Sequence, residues 1–212
     1  MRLSKQVFSV THLVAAVAIA LVSIQCGSDD GSSPGDGGGD KISRPFEYSG
    51  FSSPEYSSYT KTSRPCPPFC VQPITPSPGV NTVGELELLD FLRNKVKNSQ
   101  GVLVDARIPA WFRKGTIPGA VNIPFTLFSP DKNPYLDKIL AVLGAKRLSD
   151  GTWDFANAQE LLLFCNGPWC GQSPRAIRNL ITIGYPTAKL HYYRGGMQAW
   201  LALGFNTIRM KK

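Results

Sequence analysis

Leu161–Ile177, LLLFCNGPWCGQSPRAI, is an apolar run ending in a cysteine, then a glycine-bearing loop, then a Ser-Pro pair that opens a helix. Leu161, Leu162, Leu163 and Phe164 form the short continuous apolar run of a strand covered on both faces. Ser173 is a favourable N-cap, and Pro174 at the first helical position loses no hydrogen bond there. Ala176, Ile177, Leu180, Ile181 and Ile183 supply the buried stripe, and Gly184 is placed to end the helix. The sulfur of Cys165 then stands where backbone N–H groups and the positive end of a helix dipole converge. That setting favours thiolate over thiol and marks Cys165 as a nucleophile. The alternative is a small buried hydrophobe, which needs neither the glycines nor the cap.

The same grammar extends to both sides. Thr82, Val83, Gly84 and Glu85 read as a capping box, after which Leu86, Leu89, Leu92 and Val96 trace one apolar helix face. Asn133 and Pro134 start another helix, with Leu136, Ile139, Leu140 and Leu143 buried and Gly144 as its stop. Strands centred near Leu103, Val121, Leu162 and Leu190 alternate with these helices. The pattern predicts an α/β fold with a largely parallel sheet covered on both faces. Asp105 and Arg107 fall just beyond a strand's carboxyl end, the edge where such sheets bind ligands.

Three further segments share one pattern with the Cys165 loop: Gly101–Arg107 (GVLVDAR), Gly115–Pro124 (GTIPGAVNIP) and Tyr193–Trp200 (YRGGMQAW). In this order and spacing the chain resembles the rhodanese family of sulfurtransferase domains over roughly Asn81 to Thr207, with Thr116 where the family usually has histidine. The resemblance implies a three-layer fold with a mostly parallel central sheet of about five strands, preceded by a disordered tether. It also implies two-step transfer, in which Cys165 takes a sulfane sulfur, carries it as a persulfide and passes it to a thiol or other nucleophile. Asn166 and the backbone N–H groups of Gly167, Trp169, Cys170 and Gly171 would cradle the outer sulfur.

Departures from the family bear on the substrate. The span Cys165–Ser173 is longer than the family's usual loop and contains no Arg or Lys, which speaks against thiosulfate as the donor. Gly171 occupies the place where rhodanese-fold phosphatases need an arginine, which speaks against phosphatase chemistry. Arg107 and Arg175 are the nearest cations, as anion ligands or as packing ion pairs. Cys170 is either a resolving thiol that displaces sulfide or an inert filler of the longer loop. Trp169 is expected at an exposed crest, and Asp105 either orients the loop or caps the next turn.

The amino-terminal region reads differently. Residues 1–25 carry Arg2 and Lys5 and then an apolar run, as a signal peptide does. Leu21–Cys26, LVSIQC, resembles a bacterial lipoprotein signal with Cys26 as the lipidated residue, although Gln25 stands where a small residue is usual. Residues 26–77 read as a Gly/Ser/Asp/Pro-rich tether and an irregular arm holding Cys66 and Cys70, and residues 78–210 as the rhodanese-like domain. Localisation is then the periplasmic side of a bacterial envelope, lipid-anchored or secreted. Four cysteines beyond Cys26 in an oxidising compartment suggest disulfides, and the spacing allows a redox or a metal role for Cys66 and Cys70 as alternatives.

The 212 residues carry 23 basic and 15 acidic side chains, a formal charge of +8, or +6 once Arg2 and Lys5 leave with the signal. No basic run accompanies this excess, so nucleic acid is not implied. No cofactor or metal is assigned, haem attachment lacks its motif, and His191 reads as a structural strand histidine. The expected partners are a small sulfur-containing donor and a thiol acceptor. The competing functions are a thiol-disulfide redox protein using Cys165 and Cys170 with Cys66 and Cys70, and a non-catalytic binding module.

Overall fold

The computed structural model describes residues 70–209; the signal, Cys26 and Cys66 readings lie outside them. Five parallel strands form the central sheet in the spatial order Asn81–Val83, Leu190–Tyr193, Glu160–Phe164, Gly101–Asp105, Ala120–Asn122. They are β1 (Asn81–Val83), β2 (Gly101–Asp105), β3 (Ala120–Asn122), β6 (Glu160–Phe164) and β7 (Leu190–Tyr193). The helices are α1 (Glu85–Phe91), α2 (Pro109–Lys114), α3 (Leu136–Val142), α4 (Gln172–Ile183) and α5 (Gly196–Ala202). A small antiparallel hairpin, β4 (Lys146–Arg147) with β5 (Trp153–Asp154), stands apart from the sheet.

Strand alternation divides the core into two layers. Leu161 and Leu163 of β6 and Val104 of β2 pack with Leu140, Ala176, Ile177 and Leu180 of α3 and α4. Leu162 and Phe164, with Leu103, face the other way, against Leu88 and Phe91 of α1 and Met197 and Trp200 of α5. β6 and β2 pair in register from Leu161 with Val102 to Phe164 with Asp105, so Cys165 and Ala106 leave the sheet side by side. The chemistry-bearing residues therefore reach one carboxyl edge of the sheet. Gly184 ends α4 at φ +97°, a left-handed turn that a side chain resists.

Two sequence readings are corrected. Thr82 is a residue of β1, and its hydroxyl donates to the Ile74 carbonyl rather than to a helix end. The N-cap of α1 is Gly84, whose N–H is accepted by the Glu87 carboxylate at 3.0 Å. This shifts the buried face to Leu88 and Phe91 and leaves Leu86 75% exposed. No helix among the described residues is long and apolar enough to cross a membrane.

Candidate active site: a buried dithiol loop

Cys165 follows directly on β6, and the loop from Asn166 to Gly171 returns the chain to α4. Helix α5 holds the start of this loop, with the Met197 N–H donating to the Cys165 carbonyl at 3.0 Å and the Gln198 N–H to the Asn166 carbonyl at 2.9 Å. Gly196 makes that approach possible. A Cβ there would stand 2.4 Å from the Cys165 carbonyl oxygen and 2.7 Å from the Gly167 nitrogen, at a φ of +56°. The far side of the loop is held by the segment before β1, where the Gln72 N–H donates to the Pro168 carbonyl at 2.7 Å. Arg194 in turn donates to the Gln72 carbonyl at 2.9 Å.

Both loop thiols are free and buried, with Cys165 1% and Cys170 3% exposed. The Cys165 thiol donates to the Cys170 carbonyl at 3.1 Å and accepts from the Ser173 hydroxyl at 2.9 Å. Ser173 is thus turned toward sulfur and does not cap α4. Gly171 is the N-cap, and Pro174 still sits within the first turn, where no backbone donor is required.

The distribution of charge differs from the expected cradle. Burial pushes the Cys165 thiol well up, with the neighbouring Cys170 adding to that and Ser173 opposing it. Cys170 is instead brought down to about 7, chiefly by the hydrogen bond from Cys165 and then, against its own burial, by the backbone N–H groups of Asn166 and Gln172. The Cys170 N–H itself is engaged by the Gly167 carbonyl at 2.9 Å. Of the two thiols, Cys170 is therefore the one that loses its proton more readily.

Behind the loop lies a buried ion pair. Arg107 holds the Asp105 carboxylate with its Nε at 2.9 Å and an Nη at 2.6 Å, and the same Nη donates to the Gly115 carbonyl at 2.6 Å. The Thr116 hydroxyl, at the family's histidine position, donates to the same carboxylate at 2.8 Å. Asn122 ties the Asp105 and Arg107 carbonyls together at 2.9 and 2.8 Å. Asp105 both accepts the Arg107 N–H at 3.0 Å and aims the guanidinium, whose other Nη reaches Asn166 Oδ1 at 3.4 Å. Asp105 thus holds the turn after β2, and only the Arg107 guanidinium that it grips reaches the loop. Arg107 is first a partner of Asp105 rather than a free anion ligand.

The other predicted positions resolve unevenly. Trp169 is only 8% exposed, packed with Cys165 and Cys170, and its indole N–H donates to Gln198 Oε1 at 3.0 Å, against the expected exposed crest. Arg175 is exposed, with its guanidinium 5.5 Å over the Phe125 ring, away from the thiols' contacts. Cys70 is in a disulfide, which removes it as a thiolate ligand. His191 packs against Phe91 and lies 3.1 Å from the Glu160 carboxylate. Among the described residues no His, Cys, Asp or Glu cluster is arranged to hold a metal ion. Gln198 and Gln72 were not singled out from sequence, because glutamine in a helix or loop carries no local signal of a distant partner.

The rhodanese-like domain model matches residues 88–203. Among solved structures, the chain is similar to a human single-domain sulfurtransferase at 24% identity, covering 58% of this chain and 96% of that one, with a TM-score of 0.41. A Bacillus halodurans protein gives 17% identity, 61% and 77% coverage, and a TM-score of 0.43. A thiosulfate sulfurtransferase from Pseudomonas aeruginosa gives 15% identity, 63% and 21% coverage, and a TM-score of 0.43. No curated protein matches the chain significantly. With more than half of its length matched by the family's model, the chain belongs to the rhodanese-like domain family.

Proposed function

We propose that this protein is a sulfurtransferase that carries sulfane sulfur as a persulfide on Cys165. The observation that supports it is a pair of buried cysteines at the carboxyl end of a central strand, in which the Cys170 thiol is brought down to about 7 and the Cys165 thiol donates to the Cys170 carbonyl. As a donor approaches, Cys165 gives its proton to the Cys170 thiolate and its sulfur attacks the donor's outer sulfur. One S–S bond forms, the donor's S–S bond breaks, and the donor leaves as thiolate or sulfinate with the electron pair. An acceptor thiolate then attacks the outer sulfur of the persulfide and restores the Cys165 thiolate. Ser173, donating at 2.9 Å, steadies the Cys165 sulfur when it is anionic.

A second reading has its own support. Cys170, once deprotonated again, attacks the inner sulfur of the Cys165 persulfide, which forms a Cys165–Cys170 disulfide and releases hydrosulfide. The proximity of two free thiols favours this resolving step. We further propose that the chemistry occurs on the periplasmic side of a bacterial envelope, with Cys26 as a lipid anchor. The disulfide at Cys70 accords with an oxidising compartment. The experiment is sulfur transfer from inorganic polysulfide to cyanide, read as thiocyanate. Wild-type protein should turn over and Cys165→Ser should not; equal turnover in both overturns the proposal.

A further inference from the structure

The active loop is held from outside by a segment that takes no part in the sheet. Gln72 follows the disulfide-bonded Cys70 by two residues, and its side-chain amide donates back to the Cys70 carbonyl at 2.8 Å. Its backbone reaches the loop, with the N–H donating to the Pro168 carbonyl at 2.7 Å. Its own carbonyl accepts from Nε and an Nη of Arg194 at 3.2 and 2.9 Å, in the turn between β7 and α5. The Gln72 amide also lies over Gly171, 3.6 Å from where a Cβ would stand. One residue thus joins the disulfide, the loop crest, the start of α4 and the turn before α5.

These contacts bear on access to the sulfurs. Pro168 immediately precedes Trp169, the side chain packed over Cys165 and Cys170. Trp169 is held on one side through its indole N–H by Gln198, and on the other through Pro168 by Gln72. With both holds closed the two thiols are buried, so a reagent reaches them only when the crest moves. The Gln72 hold is built to open. Val71, Pro73 and Ile74 around it are exposed, so this stretch is kept in place by hydrogen bonds rather than by buried apolar surface, the condition for local opening. A disulfide two residues away limits the conformations open to the stretch and keeps the Gln72 N–H near its acceptor. Opening the disulfide lifts that limit.

We propose that residues 70–72 are a redox-set clamp on the active loop, closed while the Cys70 disulfide is intact and released, with exposure of Cys165 and Cys170, when a dithiol reductant opens that disulfide. In the release step one thiolate of the reductant attacks a sulfur of the disulfide, and its second thiol resolves the mixed disulfide. The reductant leaves as a disulfide, and two electrons and two protons pass to the protein. The clamp governs access to the loop thiols whatever chemistry they perform, so it goes beyond the sulfurtransferase reading and does not depend on it.

The test measures carbamidomethylation of Cys165 and Cys170 by iodoacetamide in the full-length protein, read on the loop peptide by mass spectrometry. One sample keeps the Cys70 disulfide; the other is treated with dithiothreitol, which is removed before the reagent is added. The loop cysteines are expected to react about tenfold faster in the reduced sample. Cys70→Ala is expected to react at the faster rate with or without dithiothreitol. Gln72→Pro removes the N–H given to Pro168 and leaves the disulfide in place, and it is expected to raise the rate without any reductant. Thermal unfolding of the reduced wild-type protein is expected to remain one cooperative transition. Equal rates in the two wild-type samples, or a Gln72→Pro rate equal to that of the disulfide-bonded wild type, overturns the clamp. Loss of the cooperative transition on reduction overturns it too, because the disulfide then holds the whole domain rather than the loop.

Discussion

The hydroxyl of Ser173 donates to the sulfur of Cys165 at 2.9 Å, across eight residues of chain, and both groups are buried. A donor aimed at a sulfur matters most when that sulfur is an anion, because hydrogen bonds to charged groups are worth about 1.5–3 kcal/mol. Ser173→Ala should therefore slow alkylation of Cys165 about tenfold or more, measured by peptide mass spectrometry in a Cys170→Ser background. An unchanged rate would mean that Ser173 serves packing only.

The neighbouring Cys165 side chain, and then the backbone N–H groups of Asn166 and Gln172 against burial, bring the Cys170 thiol down to about 7. Below that value it is a thiol, and above it a thiolate, so ultraviolet thiolate absorbance should rise with a midpoint near pH 7. Cys165→Ala removes the largest stabilising contact and should move the midpoint upward. A midpoint that stays in place would place the stabilisation elsewhere.

The Asp105–Arg107 pair is buried on both sides, so removing one partner leaves an uncompensated charge. Asp105→Ala should cost about 3–5 kcal/mol, lowering Tm by about 10 °C or more. Thermal unfolding followed by circular dichroism measures this. A loss below about 1 kcal/mol would show that Arg107 finds solvent or another acceptor.

Much of this arrangement was legible in the chain. The apolar run Leu161–Phe164 declared a strand buried on both faces, and Gly144 and Gly184 declared helix ends, because those signals are local. β1 was missed for the opposite reason: Asn81–Val83 has three residues, and its identity comes from pairing with β7 more than a hundred residues later. The β4–β5 hairpin did have a local signal, Asp150-Gly151 with Gly151 at φ +86°, which the sequence reading passed over. In the site, the position of Cys165 followed from its neighbours. The burial of Trp169 did not, since it depends on Gln198 of a different helix, and the turn of Ser173 toward sulfur depends on a loop geometry that spacing alone does not dictate.

Trp169 covers the thiols, and its removal should expose them. Trp169→Ala should raise the rate at which a bulky disulfide reagent modifies the native loop by about tenfold, without a matching change in the unfolded protein, since access limits the reactivity of buried thiols. If the rate stays at the wild-type value, another element gates the site.

Gly196→Ala forces a side chain into the left-handed region and against the Cys165 carbonyl. A cost of about 1–3 kcal/mol is expected from the backbone alone. Sulfur transfer should fall further than stability, because the displaced atoms belong to the loop. Measuring thiocyanate production below the variant's own Tm separates the two effects.

The central claim is that Cys165 holds the transferred sulfur. Peptide mass spectrometry after a single exposure of Cys170→Ser protein to inorganic polysulfide tests it most directly. The account predicts a one-sulfur adduct on the Cys165 peptide, lost on adding an acceptor thiol and absent when Cys165→Ser is treated alike. An adduct that persists in Cys165→Ser, or none on Cys165 in the folded protein, would contradict it.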